Sequence, residues 1–183
     1  FFLMENQLLV VVVLYQQSLS HMPSYDLFSK SVFNKKIQLV VYDNSREPQA
    51  DPLFETDNVL YYHDGENPGL AKAYNYALAH AKKEHSSLVL LDQDSRLSES
   101  YFDELLQIIW VEDQVAAVPM VYDHGRQISP VYADQYVNRQ VQMVDKPQLV
   151  SDRLMAINSG AAFSIDFLKE IGGFNVEFPL DFL

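Results

Sequence analysis

The sequence has 183 residues, with 13 Lys and Arg against 25 Asp and Glu, so the formal net charge is −12 when His is neutral. This length suits a single domain, and the negative charge makes nucleic acid and anionic lipid surfaces unfavourable partners. The absence of Cys excludes disulfides, zinc–thiolate sites and thiol nucleophiles, and it predicts a cytoplasmic location.

Short apolar runs recur along the chain and are typical of buried strands. The first run covers only residues 8–14, whereas a membrane span needs about 20 apolar residues, so we expect no transmembrane segment. Polar residues bound each run. The later runs that we predict as strands are 37–41, 59–62, 88–91 and 115–118.

Stretches with helical periodicity lie between these runs. In residues 68–83 apolar side chains recur at the spacing of one helix face, with Asn67 as the expected N-cap and Pro68 as the first helical residue. Further helices are predicted at about 23–33, near 165–171 and after Ser98, the last with an inward face formed by Leu105, Leu106, Ile108 and Ile109. This alternation predicts an α/β fold whose mostly parallel sheet carries helices on both faces.

Polar residues follow four of the predicted strands, at the edge where ligands bind in open parallel sheets. They are Tyr15, Asp43-Asn44-Ser45, His63-Asp64 and Asp92-Gln93-Asp94-Ser95. Carboxylates gathered at one edge repel one another, and they repel phosphate, unless a divalent cation lies among them. Mg²⁺ or Mn²⁺ typically takes one or two carboxylates, such as Asp92 and Asp94, together with phosphate oxygens. The pattern predicts a metal–diphosphate site, although Asp92 capping a turn before a loop would give the same residues.

The segment 67–75 opens the helix with the clearest periodicity, where small residues let a ligand approach and a helix N-terminus attracts anions. Lys72 would face a phosphate there, although a capped helix with a solvated lysine explains the same pattern. The sequence has no H-x-x-x-H or H-E-x-x-H spacing and no G-x-S-x-G, P-loop or G-x-G-x-x-G motif. Serine hydrolases, P-loop NTPases and dinucleotide-binding enzymes are therefore disfavoured.

Taken together, these motifs resemble the family 2 glycosyltransferases of the GT-A fold, particularly the rhamnosyltransferase-like branch. The resemblance covers most of the chain, because the motifs occur in the family's order: Leu14-Tyr15, 40–45, Asn67-Pro68-Gly69 with Ala73 and Asn75, 91–95, Asn158-Ser159-Gly160 and 171–175. It implies a nucleotide-diphospho-sugar transferase fold forming one catalytic domain over 1–183. The nucleotide-binding half would cover 5–119 and the acceptor-side half 120–183.

The resemblance also implies an activity, namely inverting, metal-dependent transfer of a sugar from a nucleotide-sugar donor to an acceptor hydroxyl. The acceptor would be a glycan or a lipid-linked molecule in polysaccharide or glycolipid synthesis, and the enzyme would work in the cytoplasm at the inner face of the cell membrane. Asp94 and Asp92 would bind Mg²⁺ or Mn²⁺. The residues implied to bind the nucleotide-sugar are Tyr15, Asp43, Asn67, Gly69, Lys72, Asp92 and Gln93.

Two features depart from the family pattern. Tyr42 stands where many relatives carry Asp, so the residue that contacts the nucleotide base can lie one position away from Asp43. Asp181 resembles the first acidic residue of the segment that carries the general base, and we expect the base itself beyond Leu183. We therefore expect a C-terminally truncated fragment. Because Phe1 and Phe2 precede Met4, we expect Met4 as the native start.

Two other interpretations remain open. An apolar strand followed by Asp-x-Asp also describes metal-dependent phosphohydrolases of the haloacid dehalogenase type. In those enzymes, however, the motif usually follows an early strand and carries Thr or Val where this chain has Arg96. A catalytically silent nucleotide-sugar-binding domain would also fit a chain that lacks its general base.

Overall fold

The computed structural model of the chain describes residues 7–133 and 142–177. Within these residues the strands are β1 (Gln7–Leu14), β2 (Ile37–Asp43), β3 (Val59–His63), β4 (His85–Asp92), β5 (Ala116–Ala117), β6 (Val121–Asp123), β7 (Arg126–Ser129), β8 (Val131–Tyr132), β9 (Leu154–Met155) and β10 (Ala162–Ser164). The helices are α1 (Tyr25–Phe33), α2 (Leu70–Ala79), α3 (Tyr101–Leu106) and α4 (Ile165–Glu170), with short 3₁₀ helices at Leu19–His21 and Pro52–Glu55.

A six-stranded sheet with the order β3-β2-β1-β4-β10-β5 forms the centre of the fold. β1 pairs in parallel with both β2 and β4, and β2 pairs in parallel with β3. β10 returns antiparallel between β4 and β5, so the part of the chain after residue 119 contributes to the same sheet. β6 with β7 and β8 with β9 form two separate antiparallel pairs. The predicted α/β class with a mostly parallel sheet is confirmed.

Side chains of the central strands alternate between two apolar layers, one on each face of the sheet. Val41 of β2 lies in the same buried cluster as Phe28 of α1 and Phe102 of α3. Its neighbour Val40 lies in the other cluster, with residues of α2 and α4. The helices thus cover both faces, as predicted. Among the described residues, no helix combines the length and apolar character that a membrane span needs.

The helix predicted over 68–83 is shorter at both ends, because α2 begins after Gly69 and ends at Ala79. The expected N-cap at Asn67 and helical start at Pro68 are wrong. Asn67 has a φ of 49°, and Gly69, the actual N-cap, has a φ of 96°. Left-handed residues on both sides of Pro68 turn the chain before the helix starts.

The predicted inward face of α3 is correct only in part. Leu105 and Leu106 pack against the core, but the buried residue is Phe102, and Ile109 is 83% exposed. The helix ends at Leu106, so Ile109 no longer follows the helical period that would turn it inward.

The glycine turn that follows α4 is fixed against α2 by Asn75. The Asn75 Oδ1 accepts from the Phe174 backbone N–H (2.8 Å), and its Nδ2 donates to the Phe174 carbonyl oxygen (2.7 Å). Gly173 has a φ of +87°, and a Cβ there would overlap Asn75 Oδ1. Gly172 has a φ of +84°, but nothing lies within 4 Å of its Cβ position. Asn75 therefore excludes a side chain at Gly173, whereas no neighbouring atom excludes one at Gly172.

We expect Gly173→Ala to lower the free energy of unfolding by about 3 kcal/mol, because it combines left-handed backbone strain with steric overlap at Asn75. Gly172→Ala is the matched control, for which we expect a loss of about 1 kcal/mol from backbone strain alone. Urea denaturation of both variants measures the difference. Equal losses would contradict the steric role of Asn75.

Candidate active site

The carboxyl ends of β1, β2, β3 and β4 meet at one edge of the sheet. The pairing register places Leu14 beside Asp43, Asp43 beside His63, and Val13 beside Asp92. The polar residues that follow these strands therefore share one edge, where ligands of open parallel sheets bind. A cavity of about 550 Å³ lies at the start of β4, at the opposite edge, and contains none of the predicted site residues.

Asp43 is fully buried, and its carboxylate is held by neighbouring groups. Its Oδ1 accepts from the Ser45 backbone N–H (2.9 Å), while Oδ2 accepts from the Gln49 backbone N–H (2.9 Å) and the Tyr61 hydroxyl (2.7 Å). Burial alone raises the pKa of this carboxyl, but the hydrogen bonds outweigh burial and hold the pKa of Asp43 below its ordinary value of 3.8. The ionised Asp43 shapes the loop 44–49, and its contact with a nucleotide stays a prediction.

Asp43 and Asp92 point to opposite faces of the sheet. Asp43 alternates in phase with Val41 and shares the layer of α1, whereas Asp92 alternates in phase with Leu90 and shares the layer of α2. Asp43 therefore lies on the face away from Asp92, and a cation bound by Asp92 and Asp94 stays a prediction. The described part of the chain contains no group of three or more His, Cys, Asp and Glu residues that could hold a metal ion.

Asp64, which follows β3, is satisfied by protein groups as well. Its Oδ2 accepts from the Tyr42 hydroxyl (2.9 Å) and pairs with Lys72 Nζ (3.1 Å). Burial raises the pKa of Asp64, but the bonds from Lys72 and Tyr42 outweigh burial and leave the pKa below its ordinary value. Burial and the bond to Asp64 likewise raise the pKa of Tyr42. Lys72 is thus already paired with a carboxylate, and its contact with a phosphate stays a prediction.

The segment from Asp92 to Ser95 forms a tight turn after β4. The Ser95 backbone N–H donates to the Asp92 carbonyl oxygen (3.1 Å), and the Asp92 backbone N–H donates to Ser159 Oγ (3.1 Å). The hydroxyls of Ser95 and Ser159 also contact each other. The Asp94 carboxylate is exposed, and no group within 7–133 or 142–177 pairs with it. The turn therefore presents a free carboxylate at the edge of the sheet.

The loop after β1 is tied to its neighbours on both sides. The Tyr15 backbone N–H donates to Gln93 Oε1 (2.8 Å), and Gln93 Nε2 donates to the Tyr15 carbonyl oxygen (3.3 Å). On the other side, the Gln16 backbone N–H donates to Ser45 Oγ (2.8 Å). The Tyr15 side chain is 48% exposed. An aromatic ring is thus presented at the edge, from a loop that is anchored to β2 and β4.

The turn before α2 brings the remaining predicted residues to the same edge. The Asn67 backbone N–H donates to the Asp64 carbonyl oxygen (3.2 Å), and Gly69 follows as the helix N-cap. The structure places Asn67 and Gly69 close to the pair of Asp64 and Lys72. Asp181, the expected member of the base segment, lies outside the described residues.

The sequence gives no indication of which side chains contact Asp43 and Asp92, although Ser159 belongs to one of the motifs of the resemblance. Tyr61 and Ser159 come from other segments, and only the folded chain brings them to Asp43 and Asp92. Asn44 is different, because it directly follows a predicted strand. It is 3% exposed, and its Oδ1 has no hydrogen-bond partner among the described residues. An unpaired buried amide oxygen costs about 1–3 kcal/mol, so Asn44 is an unsatisfied group at the site.

We expect Asp43→Asn to lower the free energy of unfolding by about 2 kcal/mol at neutral pH, because it weakens hydrogen bonds to a buried carboxylate. The folded-state pKa is depressed, so this stabilisation is complete above the ordinary value of 3.8 and is lost as pH falls through the folded-state pKa. Urea denaturation from neutral pH to about pH 3 should show the two proteins converging below about pH 4. A constant difference would contradict an ionised Asp43.

Comparison with known proteins gives a family and a structural neighbour. The fold is similar to that of the mannosyltransferase PcManGT from Pyrobaculum calidifontis, determined in complex with GDP-Man and Mn²⁺, with a TM-score of 0.49 and 17% identity. The similarity covers 92% of this chain and 47% of that protein, so the chain spans about half the length of this neighbour. No curated protein matches the sequence.

The family model described as "Glycosyl transferase family 2" matches residues 29–172. This range extends from α1 to α4 and includes the turns that carry Asp43, Asp64 and Asp94. The sheet, in which β10 lies antiparallel beside the parallel strands, agrees with the predicted GT-A fold. Because the match covers well over half of its residues, the chain belongs to glycosyl transferase family 2.

Proposed function

We propose that this domain binds a nucleotide-sugar and transfers the sugar to an acceptor hydroxyl with the help of a divalent cation. One observation carries the proposal. In a family 2 domain, the turn after β4 brings the exposed and unpaired Asp94 carboxylate to the carboxyl edge of the sheet, next to the loop that presents Tyr15. An anionic donor needs positive charge at an edge that is itself acidic, and a cation bound by this turn would supply it.

Asp94 and Asp92 fit a divalent cation by their chemistry. Carboxylate oxygens are the ligands that Mg²⁺ and Mn²⁺ prefer, and one or two of them suffice when substrate phosphates complete the coordination. Asp43 and Asp64 stay out of this role, because hydrogen bonds and an ion pair already engage their oxygens. When bound, the cation would offset the negative charge that grows on the departing nucleoside diphosphate.

The nucleotide is proposed to lie across the ends of β1 and β2 and the turn before α2. The exposed ring of Tyr15 offers a stacking surface for the base. Gly69 has no side chain to keep a phosphate away from the backbone at the start of α2. Asp43 contributes indirectly, because it holds the loop 44–49 that borders this region.

The chemistry we propose is an inverting displacement. A carboxylate base removes the proton of the acceptor hydroxyl, the acceptor oxygen attacks the anomeric carbon, and the nucleoside diphosphate leaves. Asp181 and the residues after it are the candidates for the base segment. The likeness of the motifs supports three finer proposals, namely membership of the rhamnosyltransferase-like branch, a glycan or lipid-linked acceptor, and a role in polysaccharide or glycolipid synthesis. Membership of family 2 favours transfer over the phosphohydrolase alternative.

We expect a nucleoside diphosphate to bind the chain only when Mg²⁺ or Mn²⁺ is present, because the acidic edge otherwise repels it. Asp94→Asn should weaken this binding by about tenfold or more, which corresponds to about 1.4 kcal/mol. Isothermal titration calorimetry with and without a chelator measures both effects.

Asp57→Asn is the matched control, because Asp57 is also exposed but precedes β3 at the opposite edge of the sheet. We expect it to keep wild-type affinity. Equal binding with and without chelator would reject the metal, and unchanged affinity in Asp94→Asn would leave Asp94 as a turn residue. Steady release of phosphate from an aryl phosphate would instead favour the phosphohydrolase.

A further inference from the structure

We propose that Gln93 is a positioning residue that fixes the distance between the ring of Tyr15 and the metal-binding turn at Asp92 and Asp94. The inference rests on the proposed function of this edge. It gives Gln93 a role that differs from the direct donor contact implied by the motifs, because the Gln93 amide is already engaged elsewhere.

The contact between Gln93 and Tyr15 joins two loops at two points. Gln93 Oε1 accepts from the Tyr15 backbone N–H at 2.8 Å, and Gln93 Nε2 donates to the Tyr15 carbonyl oxygen at 3.3 Å. A single hydrogen bond would let the loop pivot about it. Two bonds to one planar amide fix both the distance and the orientation of the Tyr15 backbone relative to the turn. Gln93 is also the middle residue between the two acids, so it holds the turn and the loop together.

The opposite side of the Tyr15 loop is anchored to β2. Gln16 has a φ of 52°, and its backbone N–H donates to Ser45 Oγ at 2.8 Å. The Ser45 backbone N–H in turn donates to the buried Asp43. Tyr15 therefore lies between two anchored points, while its own side chain is half-exposed and accessible to a ligand.

This arrangement predicts a specific effect on ligands that occupy both subsites. A nucleoside diphosphate places its base on Tyr15 and its diphosphate on the cation at Asp94. When a ligand binds both subsites at once, its affinity depends on whether their separation matches its length. Loss of the Gln93 contact should therefore weaken the whole nucleotide and spare a diphosphate that binds the cation alone. A general structural defect would weaken both ligands.

Calorimetry in Mn²⁺ with Gln93→Met tests this effect, because methionine has a similar length but no amide. We expect the affinity for a nucleoside diphosphate to fall about tenfold, the size of an ordinary base–aromatic stacking contribution. The affinity for inorganic pyrophosphate should change by less than about twofold. Gln107→Met is the matched control, because Gln107 is an exposed glutamine at the end of α3, and it should leave both affinities unchanged.

Tyr15→Ala separates positioning from direct contact. If Gln93 acts through Tyr15, Gln93→Met should cause no further loss of nucleotide affinity in the Tyr15→Ala background. A further loss of about the same size would overturn the positioning role and show that Gln93 contacts the nucleotide itself. Equal weakening of nucleoside diphosphate and pyrophosphate would also overturn it.

Amide hydrogen exchange at Tyr15 tests the contact without any ligand. The Tyr15 N–H should be protected in the wild-type chain and should exchange faster in Gln93→Met, whereas fast exchange in both would overturn the proposal. A wild-type chain that binds no nucleoside diphosphate in Mn²⁺ would overturn the proposed function together with this role. Wild-type binding that Gln93→Met leaves unchanged would overturn the positioning role alone.

Discussion

The parallel pairing of β1 with a strand on each side is the constraint on which the rest of the structure depends. β1 is buried along almost its whole length, and its register ends with Leu14 beside Asp43 and Val13 beside Asp92. A buried strand must satisfy its backbone groups through its neighbours, so this register is not free to slip. Because these strands run in one direction, the loops that follow them reach the same edge, and the polar residues of distant segments become neighbours.

The same register also separates the acids at that edge. Asp43 and Asp92 lie on opposite faces of the sheet, and the chain satisfies Asp43 and Asp64 with its own donors, among them Tyr61 and Lys72. Protein donors therefore offset the charges of Asp43 and Asp64 separately. Asp94 stays exposed in the turn after β4, where the proposed cation would also take phosphate oxygens of the proposed donor.

The order of the elements could be predicted because each central strand is an apolar run bounded by polar residues and α2 has a clear helical period. The face of the sheet on which each strand-end acid lies could not be predicted, because Asp43 and Asp92 acquire their relative orientation only through pairing between distant segments. The first residue of α2 could not be predicted either, because the left-handed backbone at Asn67 and Gly69 is set by the turn and not by the helical period. Likewise, only the folded chain shows that Gln93 hydrogen-bonds the Tyr15 backbone and that the Asp94 carboxylate has no such partner among the described residues.

The motifs that suggest the family are separate in sequence but meet around α2. In α2, the Tyr74 hydroxyl accepts a hydrogen bond from Asn158 Nδ2 (3.0 Å). Asn75, which follows Tyr74, binds both backbone groups of Phe174. Ser159 Oγ accepts from the Asp92 backbone N–H in the turn after β4. The later part of the chain is thus attached to the parallel strands through α2 as well as through β10. Two hydrogen bonds to Asn75 thus hold the Phe174 backbone at a fixed position beside α2. Through this contact, the motif that includes Asn75 and the glycine turn before Phe174 lie side by side, although Phe174 is 99 residues further along the chain.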